Sequence, residues 1–294
     1  MRLLKAKTKE AYTIKTLAEL VQNSLHSACL ETDKDGIIMK GMDSDKNILL
    51  YMELKRENFV IFKCTKPIQI GINLFHFYKM LKSIKKKDCI TLFIDNKNPM
   101  DLGICVKQSE ESNKTTTFIK CTRIQPIDVP LPTGYGDPII CSSKEFQKMS
   151  KNLAAVGKVI RVESRNYWIK FSADGGELYK REVIFGEEEE DDDDEADPNT
   201  DTKETRESEP YIQNFLTEQI TQHCKVAGLS ANLQMYPTPG LPLKIKLSVG
   251  SLGFLSIYIK SQEQIKEEKQ APTAESDDEG ESGNESDQLD IDAE

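Results

Sequence analysis

The stretch DGIIMKGMDSDKNILLYMEL, residues 35–54, sets two apolar runs on either side of Met42-Asp43-Ser44-Asp45-Lys46-Asn47. The six-residue crossing is too polar to be buried strand, so the stretch reads as two strands joined by a turn. A bulky Met nevertheless heads that crossing. An apolar side chain there either plugs the edge of a core or lines a surface site, and the rest of the chain decides between the two.

The 294 residues are enough for two domains of ordinary size, and 38% apolar content supports real cores once low-complexity segments are set aside. No apolar run approaches the roughly 18 residues of a membrane span, and Met1-Arg2-Leu3-Leu4-Lys5-Ala6-Lys7 lacks the apolar core of a signal peptide. A protein that stays where it is made, or enters the nucleus, is expected. Seven cysteines are scattered singly, without a C-x-x-C pair or matched His spacing. They read as small core residues in a reduced intracellular setting, not as a disulfide or zinc framework.

The charge is divided unevenly. EEEEDDDDEAD at 187–197 and the segment 270–294 each hold ten acidic residues and no basic one, so without them the formal charge of −10 becomes +10. A basic body with two acidic appendages that cannot fold alone points to a polyanionic partner.

Helical spacing occurs at 9–27 (Ile14, Leu17, Val21, Leu25), 73–85 (Leu74, Phe77, Leu81, Ile84), 142–156 (Phe146, Met149, Leu153) and 213–227 (Phe215, Ile220, Val226). Short β-rich runs lie between, among them NFVIFKC, CITLFI, LGICVK, KVIRVE, YWIKFS, REVIFG, LKIKLSV and GFLSIYIK, separated by turn clusters such as Asp95-Asn96-Lys97-Asn98-Pro99 and Asp174-Gly175-Gly176. A helix followed by a strand meander, four times over, implies an α+β chain of two similar domains, each of two similar halves. TRIQPIDVPLPTGYGD at 122–137, with three prolines and two glycines, breaks both periodicities and reads as an interdomain connector. The expected division is a domain at 1–121, the connector at 122–137, a domain at 138–262 with an acidic insert at about 187–210, and a disordered acidic tail at 263–294.

Together, DGIIMKGMDSDKNILLYMEL, IGINLFHFYKMLKSIKKKDCITLFI, the connector and SSKEFQKMSKNLAAVGKVIRVES resemble the eukaryotic-type DNA sliding clamp, the proliferating cell nuclear antigen family. The resemblance spans about residues 8–262 and is carried most strongly by Gly36, Met42-Asp43-Ser44, Gly71-Ile72-Asn73-Leu74 and Lys79-Met80-Leu81-Lys82. It implies a DNA-clamp fold in which three chains close a ring around duplex DNA, twelve helices lining the hole and curved sheets forming the outside. It also implies a polymerase processivity factor, loaded by a clamp loader, that tethers replication and repair proteins. The expected location is the nucleus, or a viral replication compartment if a virus encodes it.

The residues agree with a DNA-facing helix layer. Lys15, Lys79, Lys82, Lys148, Lys151 and Lys225 fall on exposed helix positions of all four segments, and none is Arg. A Lys ammonium attracts phosphate without the rigid fork by which Arg locks a register, so such a surface binds duplex DNA without sequence specificity and lets it slide. Lys85, Lys86 and Lys87 read as a loop at a helix end.

The resemblance also answers the question posed by Met42. In the family, the crossing, the connector and the C-terminal strand form a pocket for a short peptide, here implied to contain Met42, Asn47, Val129, Leu131, Pro132, Pro242 and Tyr258. Met suits a pocket that repacks around different ligands, and the peptide's flanks would add a strand to the connector. Asn47 departs from the usual apolar residue, and Lys260-Ser261 stand where the family places a small residue and a proline. Subunit contacts are implied at 114–121, with Thr116 and Phe118, and at 176–185, with Leu178 and Val183, as edge strands joined head to tail.

No enzyme motif is present. His26, His76 and His223 fall on separate segments, with no H-E-x-x-H, G-x-S-x-G or Gly-rich phosphate loop, and His76 and His223 read as solvated or phosphate-adjacent helix residues. The polyacidic run lacks the fixed geometry of a hard-cation site. Neither a catalytic residue nor a metal or cofactor is expected; the competing class is a metal-dependent nuclease or phosphotransferase with a DNA-binding body.

Overall fold

The computed structural model describes residues 1–108, 113–165, 167–186 and 210–270. The N-terminal half runs β1 (Arg2–Thr8), α1 (Ala11–Val21), β2 (Ser27–Thr32), β3 (Gly36–Met42), β4 (Ile48–Lys55), β5 (Ile61–Cys64), β6 (Ile68–Asn73), α2 (Leu74–Leu81), β7 (Cys89–Asp95), β8 (Asn98–Lys107) and β9 (Lys114–Lys120). The C-terminal half runs β10 (Ile139–Ser142), α3 (Ser143–Ala154), β11 (Val159–Arg165), β12 (Trp168–Asp174), β13 (Lys180–Phe185), β14 (Tyr211–Leu216), α4 (Thr217–Thr221), β15 (Asn232–Tyr236), β16 (Leu243–Val249), β17 (Gly253–Ile259) and α5 (Gln262–Gln270).

The order strand, helix, three strands, strand and helix, three strands therefore occurs twice, with β5 as an addition to the first copy. Every named strand pair is antiparallel. The first domain contributes a sheet β5-β1-β7-β8-β9, and the second a sheet β13-β12-β11-β14. The remaining strands form one eight-stranded sheet, β10-β15-β16-β17-β4-β3-β2-β6, which spans both domains through the β17–β4 joint. That joint pairs seven residues, from Gly253 opposite Leu54 to Ile259 opposite Ile48. The backbones come so close that a Cβ on Gly253 would lie 1.9 Å from the carbonyl oxygen of Glu53.

The polar crossing after Met42 is explained by local hydrogen bonding. The carboxylate of Asp43 accepts from the backbone N–H of Asn47 (2.7 Å) and Ile48 (2.8 Å), and Lys46 takes the left-handed conformation at φ 58°. An Asp therefore closes the β3–β4 turn through its own side chain, which an apolar residue could not do. On α2, Asn73 caps the first turn by accepting from the N–H of His76 at 2.9 Å.

Two expected boundaries move. The helix expected at 213–227 is mostly strand and turn: β14 occupies 211–216, α4 only Thr217–Thr221, and a 3₁₀ turn Cys224–Gly228. Phe215 lies opposite Ile160 in the β11–β14 ladder, so its burial comes from sheet packing and not from a helical stripe. Residues 263–270, the start of the expected disordered tail at 263–294, instead belong to α5. Ser261 and Gln264 make a reciprocal capping box: the Ser261 N–H donates to Gln264 Oε1 (3.0 Å) and the Gln264 N–H to Ser261 Oγ (3.2 Å). The acidic insert, apart from Pro210, and the tail beyond Gln270 lie outside the described residues.

The core lies between helices and sheets. Ile14, Leu17, Phe77, Leu81, Phe146 and Leu153 on the helices meet Met39, Leu50, Ile72, Phe171, Ile245 and Ile257 on the strands, all buried. Residues 123–138 run between β9 and β10 in neither helix nor strand, and Thr122 bridges to Gly71.

Candidate functional sites

Helices α1 and α2 pack together, as do α3 and α4, and the 3₁₀ turn 224–228 packs against both α1 and α3. The four helical segments thereby form one layer across the domain boundary. A hydrogen bond from Asn23 Nδ2 to the carbonyl of Gln222 (3.1 Å) ties it across the middle. Lys79 on the last turn of α2, Lys82 directly after it, and Lys148 and Lys151 on α3 are exposed and make no ion pair among the described residues. Lys144, not singled out from sequence, lies one turn from Lys148 on the same exposed stripe of α3.

The other two expected DNA-facing lysines are committed within the chain. Lys15 Nζ donates to the carbonyls of Lys82 (2.7 Å) and Ile84 (3.1 Å), neutralising the carbonyl end of α2. Lys225 pairs with Glu19 of α1. The hydrogen bond to Glu19 raises the lysine above its ordinary value; partial burial opposes ionisation of Glu19, but Lys225 holds it below the ordinary carboxylate range.

The strand residues expected in the peptide pocket, Met42 and Tyr258, lie on the outer face of the eight-stranded sheet. Met42 is opposite Leu49, Leu49 opposite Tyr258, Tyr258 opposite Lys244 and Lys244 opposite Tyr236, giving a row across five strands. The connector is pinned over this row at two points. Lys40 Nζ donates to the Val129 carbonyl (2.8 Å), and Tyr135 Oη donates to the Pro242 carbonyl (2.9 Å). Leu131 and Pro132, both half-buried, lie between the pins. Asn47 closes the margin, its carbonyl accepting from the Lys260 N–H at 2.9 Å.

The structure thus joins Met42, Pro242 and Tyr258 through strand register and the Tyr135 tether, and places Val129, Leu131 and Pro132 on the strap above. Sequence reading missed Tyr135, Tyr236 and Lys244. The ring of Tyr135 lies 6.0 Å from Tyr236 and 6.1 Å from Tyr258, and Lys244 Nζ approaches all three rings, nearest Tyr236 at 4.6 Å. Burial raises the phenols of Tyr135 and Tyr258, and burial with neighbouring Lys246 lowers Lys244. The alternation in LKIKLSV was the available signal for an outward Lys244. The changed residues Lys260-Ser261 lead into α5, which is tied down at two places: Gln264 Nε2 donates to the Gly240 carbonyl (3.3 Å), and Glu263 accepts from the N–H (3.0 Å) and Nδ2 (2.7 Å) of Asn214 on β14.

Strands β9 and β13 are among those that end their sheets. On β9, Thr116 and Phe118 point outward, Phe118 being 59% exposed and edge-on to Phe93 at 5.9 Å. On β13, Val183 lies opposite core residue Phe171 and so faces the helix side, while the outward residue is Ile184. Leu178 is 88% exposed but precedes β13, in a turn with Gly176 at φ 88°. The four expected interface residues therefore do not share one face; Ile184 and Tyr179 are the exposed apolar residues that sequence reading left out.

His76 is exposed, but His223 is not solvated, contrary to expectation. It is fully buried, neither ring nitrogen has a hydrogen-bond partner among the described residues, and burial lowers its pKa to about 3. No group of three or more His, Cys, Asp or Glu among the described residues is placed to hold a metal.

Comparison with known proteins matches residues 3–129 to the proliferating cell nuclear antigen N-terminal domain and residues 132–262 to its C-terminal domain. Proliferating cell nuclear antigen of Chaetomium thermophilum is 23% identical over 258 residues, 87% of this chain and 97% of that protein. A probable DNA polymerase sliding clamp of Paramecium bursaria Chlorella virus 1 is 23% identical over 261 residues, 87% of this chain and 96% of the viral protein. The crystal structure of the Entamoeba histolytica protein superposes with a TM-score of 0.75 at 22% identity, covering 89% of this chain and all of the other.

Proposed function

The chain belongs to the proliferating cell nuclear antigen family, and from that premise we propose that it is a non-enzymatic sliding clamp: three copies close head to tail around duplex DNA and hold a DNA polymerase on its template. The observation that carries this reading is the β17–β4 joint. By the internal repeat, β9 is the first-domain equivalent of β17 and β13 the second-domain equivalent of β4. The same antiparallel joint made between the open β9 of one copy and the open β13 of the next continues the arc and removes both edges.

In such a ring the helix layer faces the hole, where Lys79, Lys82, Lys148 and Lys151 attract phosphate, and the Met42–Tyr258 row with its connector strap receives partner peptides on the outside. Clamp-binding proteins and a loader follow from the family. Relatives come from eukaryotes and from a virus, so the working place is the nucleus or a viral replication compartment. Mass measurement in solution across concentration tests the assembly. A species of three chains is expected, and Phe118→Asp should shift it to single chains; a parent that stays monomeric at every concentration refutes the ring.

A further inference from the structure

The sheet β5-β1-β7-β8-β9 presents a strongly basic outer face. Register places Lys63 and Lys5 in a row with Phe93, Lys7 in the next row with Thr91, Cys105 and Thr116, and Lys107 opposite Lys114 in a third. Lys5, Lys7, Lys107 and Lys114 line one shallow basin together with Arg2. Arg2 is already engaged, lying 3.6 Å from Asp95 and 4.2 Å above the Phe93 ring. The five lysines make no ion pair among the described residues. A single-sign surface of this kind repels itself in the free chain and attracts a polyanion.

We propose that the polyanion is the acidic run Glu187–Asp197 of the neighbouring subunit, which crosses this face in the assembled ring and clasps the two subunits by charge. The inference rests on the head-to-tail reading. In the β17–β4 joint the start of β17 meets the end of β4. Carried to the subunit boundary, the start of β9 at Lys114 meets the end of the neighbour's β13 at Phe185. The acidic run begins two residues later, at the corner formed by Lys107 and Lys114.

Reach and charge both fit. Eleven extended residues span up to about 36 Å, whereas the distance across the sheet from β9 to β5 is about 19 Å. Ten carboxylates meet five lysines; Glu110 and Glu111 are the acids nearest in sequence to Lys107 and Lys114, and Glu10, three residues from Lys7, already accepts from the hydroxyls of Thr13 and Ser251. DNA would satisfy the same lysines, but the neighbour's run is tethered beside them, and tethering raises its local concentration far above that of a free polyanion.

The first test uses the whole, unmodified protein. Equal amounts of isotopically light and heavy chains are mixed, reassembled, treated with a zero-length carboxylate–amine cross-linker at low salt, and read by mass spectrometry, with solution mass recorded in parallel. Mixed light–heavy cross-links from 187–197 to Lys114, Lys107, Lys7 or Lys5 are expected. Replacing Lys5, Lys7, Lys63, Lys107 and Lys114 together by Gln should raise the subunit dissociation constant about tenfold at low salt and leave it unchanged at about 1 M salt, where screening reaches only about 3 Å. A trimer whose run cross-links only within its own chain overturns the clasp while leaving the ring standing; so does a trimer whose five lysines acetylate equally fast with and without residues 187–197. A monomeric mass overturns the ring reading and the clasp with it.

Discussion

Replacing Lys79, Lys82, Lys148 and Lys151 together by Ala should weaken the hold on duplex DNA and flatten its salt dependence while leaving assembly intact. All four are exposed on the helix layer and none is paired with a carboxylate among the described residues. If each neutralises one phosphate, the slope of log affinity against log salt falls by about 0.9 per lysine, or about 3.6 for the set. Between about 0.05 and 0.2 M salt, that difference means the parent loses about 150-fold more affinity than the variant. Lys15→Ala and Lys225→Ala should differ in kind. Lys15 is occupied by two carbonyls and Lys225 by Glu19, so their loss should leave the slope nearly unchanged and lower stability instead, by about 1 kcal/mol for the Lys15 bonds. Titrating a short labelled linear duplex by fluorescence anisotropy at several salt concentrations measures both effects. An unchanged slope in the quadruple variant, or an equal loss of slope in Lys15→Ala, refutes the division into free and committed lysines.

Three further outcomes are expected. Leu131→Ala combined with Tyr258→Ala should abolish polymerase stimulation and binding of partner peptides while sparing DNA encirclement and the trimer; undiminished peptide binding, measured by calorimetry, places the pocket elsewhere. Tyr135→Phe removes the tether to the Pro242 carbonyl and should speed amide hydrogen exchange across residues 129–135 without changing the mass of the assembly, whereas unchanged exchange shows that the strap is held by packing alone. His223 is neutral when folded, with a pKa lowered to about 3, and has its ordinary value of about 6.5 when unfolded. The unfolded chain therefore binds the extra proton in that window, so stability is lost as pH falls from about 6.5 towards 3, with a slope approaching 1.4 kcal/mol per pH unit, and His223→Phe should flatten this acid limb in denaturant titrations.

Much of the fold was legible because its signals are local. Alternation marked the strands around Met42, the spacing of Ile14, Leu17 and Val21 or of Phe146, Met149 and Leu153 marked α1 and α3, and the prolines of 122–137 marked a segment outside helix and sheet. The fourth helix was over-read because Phe215, Ile220 and Val226 share a spacing that strand, helix and turn can each satisfy. Helix α5 was missed although Ser261-Gln262-Glu263-Gln264 carries its cap, because the acidic residues around it outweighed one local motif.

By itself the sequence determined the doubled helix-and-meander order, the basic body with acidic appendages, the connector and the family, since periodicity, composition and short motifs are properties of neighbouring residues. Only the tertiary structure decided which lysines remain available. Lys15 and the Lys82 carbonyl are 67 residues apart, and Lys225 and Glu19 are 206 apart, so no window of sequence reports that their charges are already engaged. The same holds for Lys244 among three tyrosines, the opposite faces of Phe118 and Val183, and the burial of His223. Each depends on strand register or helix packing between distant segments, which sets what a side chain meets once its own local conformation is settled.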